Sequence, residues 1–122
     1  MIIKVILIAI VVLITLFLLL KYLFPVAQVE GDSMLPTYRE GEYLICRRVF
    51  FKKKCKVNKI YVIYLRDDEK GKPYYVIKRL NKILRGGDYW FLGDNADVSY
   101  DSRHYGGIDP KRVIAEVRKV CK

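Results

Sequence analysis

Ser33 sits in Gly31-Asp32-Ser33-Met34-Leu35-Pro36-Thr37, among turn-forming residues and just after a long apolar run has ended. A serine hydroxyl attacks poorly at its ordinary pKa, so acyl transfer at Ser33 requires a base elsewhere in the chain. The same heptad also makes an ordinary turn, in which Asp32 and Ser33 bond only the local backbone. The heptad alone does not separate the two readings.

The segment from Tyr74 to Leu80 supplies a candidate base. Period-two alternation puts Tyr74, Val76, Lys78 and Leu80 on one face and Tyr75, Ile77 and Arg79 on the other. If the first face turns inward, Lys78 is the one charge on a largely apolar surface. Loss of water then disfavours its ammonium form, and a lysine brought to roughly 7–8 works as a general base at neutral pH. The opposite register would leave Lys78 in solvent and bury Arg79, which is the less comfortable arrangement. A third stretch, Gly93 to Arg103, collects Asp94, Asn95, Ser99, Asp101, Ser102 and Arg103 in a loop able to position a lysine. Asp101 and Arg103 can pair there and hold the loop. His104, the single histidine, stands beside Arg103 and Tyr105 and reads as a surface or packing residue rather than a catalyst.

The elements around these residues divide the chain in two. Residues 1–24 read as a transmembrane signal-anchor helix. Val5 to Leu20 is apolar apart from Thr15, Lys4 and Lys21 flank it, and Pro25 ends it. A cleavable signal peptide competes with this reading, but its apolar core runs about 7–15 residues and Val26-Ala27-Gln28 is a poor cleavage site. Residues 25–122 then form one β-rich catalytic domain of modest core. Strands are expected from Glu42 to Phe51, Ile60 to Leu65, Tyr74 to Leu80, Tyr89 to Leu92 and Arg112 to Val120, separated by Arg66 to Pro73, Gly86-Gly87-Asp88 and Gly106-Gly107. A short helix from Pro36 to about Arg39 is a weaker expectation. The fold class is mainly β, a small folded antiparallel sheet or barrel preceded by one membrane helix.

The formal charge is +10, of which Lys4 and Lys21 carry two, so the domain keeps an excess that suits anionic lipid beneath an anchor or nucleic acid. Arg47, Arg48, Lys52, Lys53, Lys54, Lys56 and Lys59 cluster around Val49-Phe50-Phe51, either at a membrane interface or on a solvated hairpin tip. Cys46, Cys55 and Cys121 are expected as thiols, a Cys46–Cys55 bridge across a hairpin being the alternative. No metal site is implied.

Together "GDSMLPT", "YYVIKRL" and "GDNADVSYDSRHYGG", in that order behind one anchor, resemble bacterial signal peptidase I, the membrane-anchored serine protease that removes signal peptides from exported proteins. The resemblance implies a Ser/Lys dyad with no metal, cofactor or histidine: Ser33 as acylated nucleophile, Lys78 as general base, Ser99 as the hydroxyl orienting the Lys78 amine, and Asp101 and Arg103 as structural supports. It places an extended substrate along the strands bearing Ser33 and Lys78, with Val29, Met34, Val76 and Ile77 at pocket positions that select an Ala-x-Ala pattern. Some members carry a hydroxyl two positions before the nucleophile as an oxyanion donor, where this chain has Gly31. The stretch "KRLNKILRGGD" is also a little longer than usual.

The implied partners are signal-peptide-bearing pre-proteins, membrane lipid and the export machinery, and the implied location is the cell inner or plasma membrane, single-pass, with the catalytic domain extracytoplasmic. A pilin-processing peptidase of conjugative transfer shares these features, and self-cleaving repressors share the dyad but not the anchor. A membrane-tethered basic binding module would need aromatic residues exposed among its cations, whereas the aromatics here alternate with core positions. Nucleic acid is therefore not an expected partner.

Overall fold

The computed structural model describes residues 1–50, 55–66 and 71–121. Helix α1 spans Ile2–Leu23, 22 residues with no buried side chain and a mean hydropathy of 3.3 over its most apolar window. At 1.5 Å per residue it reaches about 33 Å, enough to cross a hydrocarbon core of about 30 Å. Thr15 is tolerated in it because its hydroxyl donates to the Val11 carbonyl at 2.8 Å. The helix closes with the Phe24 N–H on the Leu20 carbonyl, and Pro25 cannot continue it.

Among the described residues the strands that follow form one six-stranded sheet. Its strands are β1 (Val26–Gln28), β2 (Tyr43–Arg48), β3 (Ile60–Arg66), β4 (Pro73–Ile83), β5 (Tyr89–Leu92) and β6 (Val113–Cys121), in the spatial order β1-β2-β6-β3-β4-β5. Every pairing is antiparallel. Strand β3 lies between β6 and β4 and is covered on both faces, which its run of Ile60, Tyr61, Val62 and Ile63 permits. Tyr61, Ile63 and Leu65 join Leu80, Tyr89, Phe91, Ile108 and Val113 in one core cluster. Ile60 and Val62 join Val29, Met34, Leu44, Cys46, Ala115 and Val117 in the other.

Several expectations need correction. Strand β1 was not foreseen, being three residues long directly behind α1. The strand expected from Glu42 is Tyr43–Arg48, and Phe51, with Lys52, Lys53 and Lys54, lies outside the described residues. So do residues 67–70 of the expected turn before Pro73. β4 runs on to Ile83 because its register with β5 slips between Leu80 and Lys82, a bulge that lets the longer connection stay paired. The helix expected from Pro36 to Arg39 is a set of turns, with the Tyr38 N–H on the Met34 carbonyl at 3.0 Å. The four-residue helix α2 (Ser102–Tyr105) appears instead beyond the loop. Cys46 and Cys55 sit in different core clusters and all three cysteines are thiols, as expected by default.

Candidate active site

Alternation along β4 delivers Lys78 inward. It pairs with Tyr61 on β3 and shares a face with Val76 and Leu80, and its side chain is buried. Its Nζ donates to Ser33 Oγ at 2.8 Å. Burial pulls its pKa below the ordinary lysine value, against the Asp101 carboxylate, which pulls it up. The two residues that sequence reasoning joined across 45 positions are therefore in hydrogen-bond contact, with the amine biased toward its neutral form.

Ser33 is held by bonds from two sides. The Asn95 N–H donates to the Ser33 carbonyl at 2.8 Å, and Asn95 Nδ2 donates to the Asp32 carbonyl at 3.1 Å. Thr37 Oγ1 donates to the Asp94 carboxylate. That carboxylate receives both Nε and Nη2 of Arg79 at 2.8 Å, while Arg79 Nη1 reaches the Asn58 carbonyl at 2.6 Å. Arg79 points away from Lys78, so consecutive residues of one strand secure the turn that carries Ser33, one through the hydroxyl and the other through Asp94 and Thr37. The Arg79 guanidinium holds the Asp94 carboxyl below its usual range. Met34, buried in the core beside Val29, plugs the turn from beneath.

Gly93 closes the gap between the turn and the loop. A Cβ there would collide with the Ser99 hydroxyl and lie 2.7 Å from the Ser33 carbonyl oxygen, so a larger residue would force the loop away from the turn carrying Ser33. Beyond it, Asp101 is fully buried yet saturated: Arg103 Nε and Nη2 donate at 2.9 and 2.8 Å, the Gly93 N–H at 2.9 Å and the Ser99 hydroxyl at 2.7 Å. Burial pushes its carboxyl up, but these donors together outweigh that and hold it well below the usual carboxylate range. The expected Asp101–Arg103 pair is present at 2.8 Å.

The Ser99 hydroxyl, which the resemblance sets beside the Lys78 amine, spends its proton on Asp101, and the same carboxylate pulls the Lys78 pKa up. His104 is spent locally. Its Nδ1 accepts from the Asp101 N–H at 3.3 Å, completing the cap of α2, and its ring stacks on Tyr100. Ser102, offered as a lysine partner, accepts from the Phe91 N–H at 2.9 Å.

A cleft of about 730 Å³ opens beside the Ser33–Lys78 contact. Val29, Met34, Val76 and Ile77 line it together with Ser33 and Lys78, and so do Pro25, Val26 and Arg48. Gly31 does not line it. Its φ of +74° is left-handed and its N–H donates to Glu40 Oε1 at 3.3 Å, so a serine there meets open space but a strained backbone. The hydroxyl that the resemblance looks for at this position is absent, and adding one would work against that strain. Sequence reasoning had pooled Asp94 and Asn95 with the lysine-positioning groups and had given Gly93, Thr37 and Arg79 no task. The signal for Arg79 and Asp94 was available: a charge opposite Lys78 on the same strand needs a carboxylate.

Residues 21–118 match the Peptidase S24-like family. The chain belongs to it. A curated relative, mitochondrial inner membrane protease subunit 1 of Schizosaccharomyces pombe, is 32% identical over 121 residues, covering 80% of this chain and 75% of its own length. The match and the relative agree with the resemblance to signal peptidases read from the three motifs. The chain is a signal-peptidase-like protease with an N-terminal helix long and apolar enough to cross a membrane.

Proposed function

We propose that the protein is a membrane-anchored serine endopeptidase that cleaves signal peptides from exported pre-proteins after an Ala-x-Ala-like site. The observation carrying this reading is the 2.8 Å contact between Lys78 Nζ, buried and depressed in pKa, and Ser33 Oγ. Neutral Lys78 takes the Ser33 proton as Oγ adds to the scissile carbonyl. In this reading the Ser33 N–H donates to the resulting oxyanion. Collapse breaks the peptide C–N bond while the lysine returns its proton to the leaving amine. Water then adds to the acyl-serine, giving its proton to Lys78, and Ser33 recovers its own as the ester bond breaks. Asp101 and Arg103 keep the loop beside Lys78, and Asp94 and Arg79 keep the turn carrying Ser33.

The substrate lies extended beside β1 and β4, with small side chains entering the part of the cleft lined by Val29, Met34, Val76 and Ile77. In this reading α1 crosses the plasma or inner membrane and the sheet lies on the extracytoplasmic side, where exported precursors emerge from the export machinery. Tethering enzyme and precursor to one membrane raises their effective concentration, which compensates for the modest selectivity of small pockets. The test is incubation of the detergent-solubilised full chain with a labelled Ala-x-Ala precursor. Cleavage after the second alanine by the unaltered chain, and none by Ser33→Ala, supports the reading; equal cleavage by both overturns it.

A further inference from the structure

The anchor and the cleft share a joint. Only Phe24 and Pro25 separate α1 from β1, and both sides of that joint are tied to β2. The Cys46 N–H donates to the Pro25 carbonyl at 2.9 Å, and Val26 pairs with Ile45. Arg48, at the end of β2, reaches back to the helix. Its Nε donates to the Tyr22 carbonyl at 2.8 Å, one of the last-turn carbonyls that α1 leaves without a helical partner, and its guanidinium lies 4.1 Å over the Tyr22 ring. A cation at this position also meets the negative end of the helix dipole. Arg48 and Pro25 at the same time line the cleft that Ser33 and Lys78 share. One side chain therefore joins the end of the anchor to the wall of the cleft.

We propose that this Arg48–Tyr22 clasp makes the molecule a ruler, in which the bond cut in a membrane-tethered peptide is chosen by its distance from the peptide's apolar span. The inference rests on the endopeptidase reading above and adds a specificity-determining element to it. The anchor ends where Pro25 begins, so the Pro25 end of the cleft lies at the membrane surface. From Pro25 to Val29 the chain makes four steps, held by the strand β1 and by the Val29 N–H on the Glu42 carbonyl at 2.9 Å, and extended backbone covers about 13 Å in that distance. A substrate strand lying alongside spends about four residues between the membrane and the pocket beside Ser33. A hinged anchor would let the sheet ride at many heights and blur that number. The clasp removes the hinge.

The experiment uses the full chain in lipid vesicles with a set of single-span precursors, each carrying one cleavable sequence placed two to ten residues beyond its apolar segment. A soluble peptide with the same cleavable sequence reports the chemistry apart from the membrane. The unaltered chain should cut within a window of about two spacings. Insertion of Gly-Gly between Phe24 and Pro25 should move or widen that window by at least two positions, while the soluble peptide is cut within about twofold of the unaltered rate. Arg48→Ala should widen it and Arg48→Lys, which keeps a cation and a donor, should restore most of it. If Arg48 merely touched substrate, Arg48→Ala would slow both substrates and leave the window in place, which overturns the proposal. An unchanged window in the Gly-Gly chain overturns it as well. If the unaltered chain cuts neither substrate, the endopeptidase reading fails and the ruler with it; if it cuts the soluble peptide and shows no spacing preference, only the ruler fails.

Discussion

Lys78 and Asp101 are both buried ionisable groups, and the sheet treats them in opposite ways. Asp101 receives a guanidinium, a serine hydroxyl and two backbone N–H groups, and its carboxyl is held well below the usual range although burial alone would raise it. Lys78 has, among the described residues, the neutral Ser33 hydroxyl as hydrogen-bond partner, and burial takes its pKa down. Burial with full compensation gives a permanently charged strut, whereas burial with a neutral partner gives an amine that can change its protonation state. The contrast predicts that the two sites answer differently to mutation, pH and heat.

The largest effect should come from removing the base. Lys78→Ala is expected to lower turnover on a signal-peptide precursor by at least 10²–10⁴-fold, the usual range for a lost general base. Lys78→Arg should fail too, because a guanidinium stays protonated and accepts nothing. His104→Ala should keep most activity, since that ring caps α2. All three are measured on one precursor after confirming the fold. Near-normal cleavage by Lys78→Ala alongside loss in His104→Ala would replace the Ser/Lys arrangement with a Ser/His one. In the unaltered chain kcat/KM should climb with pH as Lys78 loses its proton, with an apparent pKa below the ~10.4 of free lysine. A profile rising only above pH 10.4 would remove the case for desolvation.

Stability should separate the two groups in sign. Asp101→Asn leaves Arg103 and the loop N–H groups without their charge and is expected to cost about 2–3 kcal/mol, a fall of roughly 10 °C or more in melting temperature for a domain of this size. Lys78→Met removes an amine that folding must desolvate and should raise stability by about 1 kcal/mol while abolishing cleavage. The pH dependences follow from the same shifts. Asp101 has a depressed folded pKa, so its contribution is complete above the unfolded value near 3.9 and is lost as pH falls through the folded one. Lys78 is lowered, so the unfolded chain binds more protons between its folded pKa and about 10.4, and stability rises across that window. Thermal melts of the two variants from pH 3 to 10 check this. A melting temperature lowered by Lys78→Met would mean that the amine is compensated after all.

How far these sites could be read from residues alone differs from one to the next. The inward face of Lys78 was legible because alternation along β4 leaves one arrangement that buries lysine rather than arginine. The Asp101–Arg103 pair was legible from two residues' spacing. Strand β1 was not, since three residues behind α1 carry no periodicity, and its pairing to β2 depends on partners 15 to 19 positions away. The turns after Ser33 were mistaken for a helix because Pro36 is a common first helical residue, while what holds them is the loop at Asp94 and Asn95. Ser99 was read by resemblance as orienting the Lys78 amine, and its bond to Asp101 two residues on is what the residue types alone did not single out.

The smallest effect tests the edge of the site. Gly31 is two residues before Ser33, and a hydroxyl there would be near enough to the nucleophile turn to invite the idea that Gly31→Ser supplies an oxyanion donor. Space does not forbid it, because a Cβ at Gly31 meets nothing within 4 Å. The backbone does oppose it: φ is +74°, and an L-residue held there costs about 1 kcal/mol. Gly31 also stands outside the cleft lining, and its N–H is already committed to Glu40. Gly31→Ser should therefore lower stability by about that amount and change kcat/KM by less than tenfold, with the loss, if any, shared by Gly31→Ala. The two variants compared on one precursor isolate the hydroxyl from the strain. A serine variant at least tenfold faster than the alanine variant would show that the hydroxyl does reach the reacting carbonyl, and that the turn before Ser33 belongs with the catalytic groups rather than with their scaffold.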